Sequence, residues 1–475
     1  MTTDALDTLK ARYRHNADVI SDLVPLPDRT SATLFFCPSL CDIQLINRLV
    51  LPQIRELYHQ TGLEKTENIE YRASIRLRPI KELSASTTDA LLFKGNVIIG
   101  FSQLNMFFAF NAAQFPERQT EETNIEVSIR GPKNGLVESI ETNFGLLRRY
   151  MPVHTVSFET YIIGTKTATK VGLIFDSEKI SPSLLADIRG RLERLGGQIE
   201  ELISSTQLEE LISDTPFSLF PLTIYTGRPD FVTSCVLRGR FAIVIDGVPG
   251  AMIAPISLLM LLKTPEDTHF NFLSASFGQL LRLFSLLVAI FLPGFYIALT
   301  GYHQDQIPFP LLATIVTTRI GIPLSTPMEM FLVLTLLETF KEAGYRLPSM
   351  IGQTLTVVGG LIIGDAAIRA GLISPSMVVI AAMSTVAGST LVSQTLSGTV
   401  SILRYSSVFI SATLGMYGFM LSVLILLVYL TSLNSFGVSF LAPLAPITPK
   451  DIGRALLMFP RKLGTYVPRY LKKRS

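Results

Sequence analysis

Charge is the first thing this chain is short of. Only 17% of its 475 residues are Asp, Glu, Lys or Arg, against 48% apolar, and the formal net charge is +3. So small an imbalance offers little to a phosphate backbone, and nucleic acid is not an expected partner. Cysteine is scarce too, and Cys37, Cys41 and Cys235 make an odd count. Cys37-Pro-Ser-Leu-Cys41 lacks the spacing of a redox pair and has no neighbouring ligands to complete a zinc site, so the thiols are expected as small buried hydrophobes. The five histidines are scattered without ligand spacing. There is no phosphate-cradling loop with its lysine and no dinucleotide fingerprint. No catalytic constellation, metal or cofactor is therefore expected, and the chain reads as a non-enzyme. Met1 to Lys10 contains no apolar run of the kind a secretory signal needs, which leads to the expectation of a cytoplasmic first domain.

Long hydrophobic runs, by contrast, are plentiful, and they are confined to one end. Leu283 to Tyr302 carries no formal charge over twenty residues, the length a helix needs to cross hydrocarbon. Pro293 and Gly294 interrupt it, a combination better tolerated in membrane helices than in soluble ones. Further runs lie near 354–372, 377–396 and 408–430, giving about four full spans. The region 308–340 is expected as a re-entrant or partial span. A tail rich in Lys and Arg follows from Lys450, and such residues favour the cytoplasmic side.

Before Arg282 strand and helix signals alternate. Ala32 to Cys37 reads as a strand, and Asp42 to Gln60 places apolar residues at helical intervals. Residues 90–101 read as a hairpin turning at Gly95-Asn96. Leu136 to Tyr150 is amphipathic, Ser157 to Phe175 alternates as two strands joined near Gly164, and Ser181-Pro182 opens a helix that Gly196-Gly197 ends. Leu237 to Asp246 is a strand stopping at Gly247, and Ala251 to Leu262, broken by Pro255, is read as core strand and turn. The expected fold class is an α/β cytoplasmic N-terminal region followed by an α-helical polytopic membrane domain. Its parts are a polar segment 1–30, sub-domains 31–155 and 156–280, a membrane domain 281–435 and a basic cytoplasmic tail 436–475.

Candidate coupling or interface residues are Arg130 and Lys133, in a tight Arg-Gly-Pro-Lys turn, and His303 and Asp305, in the polar exit from the first span. The turn could bind an anion through its N–H groups and two cations, or could simply be a solvated turn. Gly360 and Gly364 allow close approach of helices, and Asp365 and Arg369 stand four apart for pairing along one face. Thr385, Ser389, Ser393 and Ser397 recur every four residues, so on one helix they form a hydroxyl stripe. That stripe is either interhelical glue or the wall of an ion pathway.

Several motifs recur in order along the chain. They are Ile129-Arg-Gly-Pro-Lys-Asn-Gly135, Thr142-Asn-Phe-Gly-Leu-Leu-Arg-Arg149, Phe220-Pro221, Arg228-Pro229-Asp230 and Arg238-Gly-Arg-Phe-Ala-Ile-Val-Ile-Asp-Gly247. Tyr296 to Gln304, Glu342 to Pro348, Ile351-Gly-Gln353 and Ser435-Phe-Gly437 follow. Together they resemble the A subunit of GerA-type spore germinant receptors, from about residue 30 to Pro446. Gly227, Thr268-His269 and Ile320 depart from the family's usual residues, the last replacing an acid after Arg319. The resemblance implies the spore inner membrane and an oligomeric A subunit that forms or gates an ion conduit. It also implies a permease-like B subunit that senses a nutrient and a lipoprotein C subunit. A secondary transporter is the alternative, disfavoured because no second copy of the Pro293-Gly294 break exists. A sporulation paralogue without nutrient response is another, and a membrane-anchored enzyme lacks a recognisable site.

Overall fold

The computed structural model describes residues 3–26, 31–61, 77–80, 83–101, 106–115, 130–346, 364–391, 393–459 and 468–471. The N-terminal region holds two antiparallel five-stranded sheets. The first is built from β1 (Ile20–Pro25), β2 (Ser31–Phe36), β3 (Arg78–Ile80), β4 (Asn96–Phe101) and β5 (Met106–Asn111), in spatial order β1-β2-β4-β5-β3. Side chains alternate across a strand. Val97, Ile99 and Phe101 accordingly join a core that includes Ile46 and Val50 of the helical stretch leading into α2 (Leu51–Thr61) and Ile54 of α2 itself. Ile98 points the other way, towards Leu6 and Leu9 of α1 (Thr3–Arg12) and Leu92 of α3 (Ala85–Leu92). The hairpin expected over 90–101 is therefore a helix, a turn and a strand. Ser84 caps α3 by accepting from the Thr87 N–H, and Gly95, at φ +76°, turns the chain into β4.

The second sheet runs β6 (Val156–Ile163), β7 (Thr169–Asp176), β9 (Phe241–Ile245), β10 (Ala251–Ala254), β8 (Ile224–Thr226). Phe241, Ile243 and Ile245 face Ile188 and Leu192 of α5 (Pro182–Leu195). Ala242 and Val244 face Phe144 and Leu147 of α4 (Ile140–Tyr150) and Val232 and Val236 of α6 (Pro229–Val236). α4, read from the sequence as part of the 31–155 sub-domain, thus packs on this second sheet. Arg148 of α4 joins the two units: its buried guanidinium binds both oxygens of Asp18 at 2.7 Å and lies between the Phe93 and Phe158 rings.

Among the described residues two helices are long and apolar enough to cross a membrane by length and composition, α7 (Phe272–Tyr302) and a 39-residue stretch, α11 (Gln394–Ser432). Between them come α8 (Phe309–Arg319), α9 (Thr326–Arg346) and α10 (Pro375–Ser389). The second long stretch is not straight. Gly415 has φ +61° and ψ −137°, outside the helical region, and the Ser407 and Ser422 hydroxyls come within 3.5 Å. In a continuous helix fifteen residues would separate them by about 22 Å. The stretch is thus a helical hairpin with arms 394–414 and 416–432, and the run 408–430 expected as one span is its tip and second arm. A Cβ on Gly415 would lie 2.7 Å from the Tyr302 ring, so its bare backbone both reverses the chain and seats the end of α7.

The proline in α7 is accommodated by a neighbour. Pro293 lacks the N–H that would reach the Ala289 carbonyl four residues back. The Ser384 hydroxyl of α10 donates to that carbonyl instead, at 2.9 Å, where both residues are buried. The adjacent Gly294 lets the first arm close in, since a Cβ there would lie 2.5 Å from the Ser407 hydroxyl.

After the second arm the chain returns to the N-terminal region. Ser435 accepts from the Ile256 N–H and donates to the Leu222 carbonyl, while Phe436 packs edge-on against Phe241. Residues expected as a basic tail are thus partly core: Phe440 is fully buried, and Tyr470 receives a hydrogen bond from Arg240. Apolar residues at these positions, not the Lys and Arg around them, decide the placement.

Ser384→Ala should lower stability by about 1–3 kcal/mol, the cost of an unsatisfied buried carbonyl, read as a reduced melting temperature of the full chain in detergent. In a variant lacking the native cysteines, Ser407→Cys with Ser422→Cys should oxidise to an intramolecular disulfide. A failure of that pair to cross-link would argue for a straight helix.

Candidate coupling site between the sheets and the helices

The loop that launches α7 is held by charges from three separate parts of the chain. Arg228, at the N-terminus of α6, is 1% exposed. Its guanidinium binds both oxygens of Asp230, at 3.1 and 2.7 Å, and an oxygen of Glu266. The other Glu266 oxygen accepts the Arg130 N–H at 3.1 Å. His269 Nε2 lies 3.0 Å from Asp230. Burial alone would raise the Asp230 carboxyl, but hydrogen bonds from Arg228 and His269 outweigh it and hold the group below its ordinary 3.8. Its contribution to stability is therefore full above about pH 4 and is lost only as pH falls through that lowered value.

Glu266 sits in a short helical turn, Pro265–His269, closed by a capping box. Thr264 accepts from the Asp267 N–H, and Asp267 accepts from the Thr264 N–H. The second Asp267 oxygen receives Arg282 of α7 at 2.7 Å. One turn thus carries two adjacent carboxylates, one tied to the sheet-side Arg228 and one to the helix. Arg130 adds a third tie by lying over the Phe270 ring at 5.4 Å. Gly131 leaves room for the guanidinium here, because a Cβ would sit 1.9 Å from an Arg228 nitrogen and force it to shift.

A second polar group lies among the helices. Arg404 is the sole charged residue of the hairpin and is 2% exposed. Its nitrogens donate to the hydroxyls of Thr385, at 3.2 Å, and Ser401, at 3.4 Å. Ser401 donates in turn to Glu338, and Lys341 donates to Ser397. Further along α9, Glu329 is fully buried, pairs with Arg319 at 3.0 Å and accepts from the N–H and hydroxyl of Ser374. A polar seam thus runs through an otherwise apolar bundle between α9, α10 and the first arm.

Residues 7–470 match the family described as Bacillus/Clostridium GerA spore germination protein. The chain belongs to this family. Spore germination protein XA of Bacillus anthracis is 40% identical over 88% of this chain and 85% of that protein. Spore germination protein KA of Bacillus subtilis (strain 168) is 34% identical over 72% and 63% respectively. Among solved structures, the N-terminal domain of the A subunit of the Bacillus megaterium spore germinant receptor GerK3 aligns with a TM-score of 0.40 at 22% identity, over 53% of this chain and 92% of that one. Membership of the GerA family assigns the chain to spore germination.

The residues singled out in this GerA-family sequence are distributed unevenly. Arg130 meets the α7 launch loop, whereas Lys133 is exposed. His303 ends α7, its N–H donating to the Leu299 carbonyl, and Asp305 is exposed in the following 304–306 turn. Gly360 lies outside the described residues, as does most of the 354–372 run. At Gly364 a Cβ would meet nothing within 4 Å among the described residues. Asp365 and Arg369 pair at 2.8 Å on an exposed face, where such pairs contribute little. The hydroxyl stripe is broken: α10 ends at Ser389, and Ser393 is the N-cap of the hairpin, accepting from the Leu396 N–H. Serine at four-residue spacing serves a cap as readily as a stripe. Of the four named positions Thr385 and Ser397 touch the polar seam, through Arg404 and Lys341, whereas Ser389 donates back to the Thr385 carbonyl. The seam's charged members Arg404 and Glu338 were legible only as rare charges in apolar surroundings.

Glu266→Gln should destabilise the full chain by about 3–5 kcal/mol, because it withdraws one of the two carboxylates that keep Arg228 charged. Gly131→Ala should act in the same direction by displacing the guanidinium, and Lys133→Ala should be neutral. Thermal unfolding of the three purified variants provides the check.

Proposed function

We propose that this chain is the A subunit of a nutrient germinant receptor in the spore inner membrane, coupling germinant sensing by a partner to ion release. In this reading the permease-like B subunit senses the nutrient and a lipoprotein C subunit completes the complex. The A subunit forms a homo-oligomer whose helices make the channel or gate, with the N-terminal region and the C-terminal segment both on the cytoplasmic side. The observation that carries the reading is the continuity between sheet and helices. Ala242, Val244 and Ile253 of the second sheet belong to one apolar core with Leu286 and Ile290 of α7 and Val400 and Leu430 of the hairpin. Packed cores deform in discrete steps, so a shift of the sheet must be answered by the helices. The Asp267–Arg282 pair directs that answer into α7, and the seam around Arg404 supplies polar groups along which a hydrated ion could pass.

The test uses spores carrying Asp267→Asn. The capping turn keeps its oxygen, but the charge opposite Arg282 is lost. Cation release after exposure to germinant should slow by about five- to a hundredfold, the range of an ordinary coupling energy, at unchanged abundance of all three subunits. Release at the wild-type rate would remove the coupling role. Impermeant labelling of single cysteines at Lys10 and Lys472 should find both protected, and labelling of either from outside would reject the common cytoplasmic side.

A further inference from the structure

A cavity of about 510 Å³ opens beside the first turn of α7, lined in part by Phe231 and Cys235 of α6. Three cations converge on it. Arg238 lines it, and its guanidinium makes no hydrogen bond or ion pair among the described residues. Arg240 is buried and, among the described residues, its guanidinium donates only to neutral oxygens, the Pro255 carbonyl at 3.1 Å and the Tyr470 hydroxyl at 3.2 Å. The Lys263 ammonium, among the described residues, reaches only the Arg454 carbonyl, at 3.4 Å. Two carboxylates also line the cavity. Asp267 is already engaged by Arg282 and by its own capping turn, and Asp451 is buried in the first turn of α12 (Pro449–Leu456). Burial, and then the charges of Arg238 and Arg240, push the Lys263 ammonium down to about 8, and Arg238 is lowered by burial and by Arg240. Buried cations crowded together have this effect even with Asp267 nearby, and a bound anion would reverse it.

The rim has a different character. Phe272 and Phe459 line the cavity and are partly exposed, and on the outer face of α7 Leu273 is 65% and Phe277 69% exposed. Apolar side chains one turn apart on the outside of a long apolar helix are suited to acyl chains. The α12 helix at the cavity's edge is amphipathic, as interfacial helices are.

We infer that this cavity binds a phosphate-bearing anion, with Arg238, Arg240 and Lys263 as its ligands and the apolar rim favouring an anionic phospholipid headgroup as the source. Arginine and lysine around a recessed pocket bind phosphate through charge-assisted hydrogen bonds. A diacyl phosphate placed with its headgroup inside would leave its chains along Leu273 and Phe277. The lipid source rests on the membrane location proposed above, whereas the anion site does not.

The experiment uses the purified full chain in non-ionic detergent, so germination is not required for the readout. Native mass spectrometry and thermal unfolding are recorded with phosphatidylglycerol, with phosphatidylcholine and with inorganic phosphate. The wild type should retain phosphatidylglycerol and gain thermal stability from it, and phosphatidylcholine should do neither. Arg238→Gln and Lys263→Gln should each weaken that binding about tenfold, as loss of one charged hydrogen bond does, and Arg238→Lys should restore most of it. Because the Arg238 guanidinium makes no hydrogen bond or ion pair among the described residues, its glutamine variant should melt at the wild-type temperature without ligand. Stabilisation by phosphatidylglycerol alone identifies the headgroup as source. Equal stabilisation by inorganic phosphate, lost in the same variants, identifies free phosphate. Binding that is undiminished in both glutamine variants, or absent with every phosphate compound, overturns the site.

Discussion

A guanidinium removed from water must be given its counter-charges by the protein, and Arg228 receives them from two directions. Asp230 is two residues away and comes with the same helix. Glu266 is 38 residues away and fixes the turn from which α7 departs. The need to keep Arg228 paired therefore determines where the first long helix begins. It also explains why the Arg130-Gly131 turn is where it is: its N–H completes Glu266, and its lack of a Cβ leaves room for the guanidinium. Neighbouring Asp267 extends the arrangement to Arg282, so that one short turn is fixed to sheet and helix alike.

The helices answer a comparable demand in apolar surroundings, where every exposed backbone group must find a partner within the protein. Pro293 frees one carbonyl in α7, and Ser384 takes it up. Gly294 and Gly415 then remove the side chains that would hold the hairpin away from α7. Small polar residues thus do in the bundle what the charged turn does at its base. The hydroxyls around Arg404 belong to the same economy of short polar side chains, which explains how a lone arginine is tolerated between helices.

Much of this was legible in the sequence, and what was not has a physical reason. The run Phe241 to Ile245 and the charge-free stretch after Arg282 announce a buried strand and a long helix, because periodicity and length are properties of a segment by itself. The hairpin was hidden because glycine inside an apolar run serves a straight helix as well as a reversal, and only the positive φ of Gly415 distinguishes them. Residues 90–92 looked like a strand because three apolar residues fit either period, and the Ser84 cap that decides the matter lies outside the run. The partners of Arg130 and Arg228 are set by tertiary packing, and no spacing rule connects residues separated by 136 positions.

The two arms of the hairpin end on the same residue. The Tyr429 hydroxyl accepts the Leu219 N–H at 2.8 Å, and the Thr399 hydroxyl donates to the Leu219 carbonyl. These two side chains stand on opposite arms, on either side of the Gly415 reversal, yet they grip neighbouring peptide groups of one loop residue. A rocking of Leu219 about its own Cα would draw on one arm while slackening the other, so the hairpin would tilt as a lever with its fulcrum in the loop rather than slide as a piston.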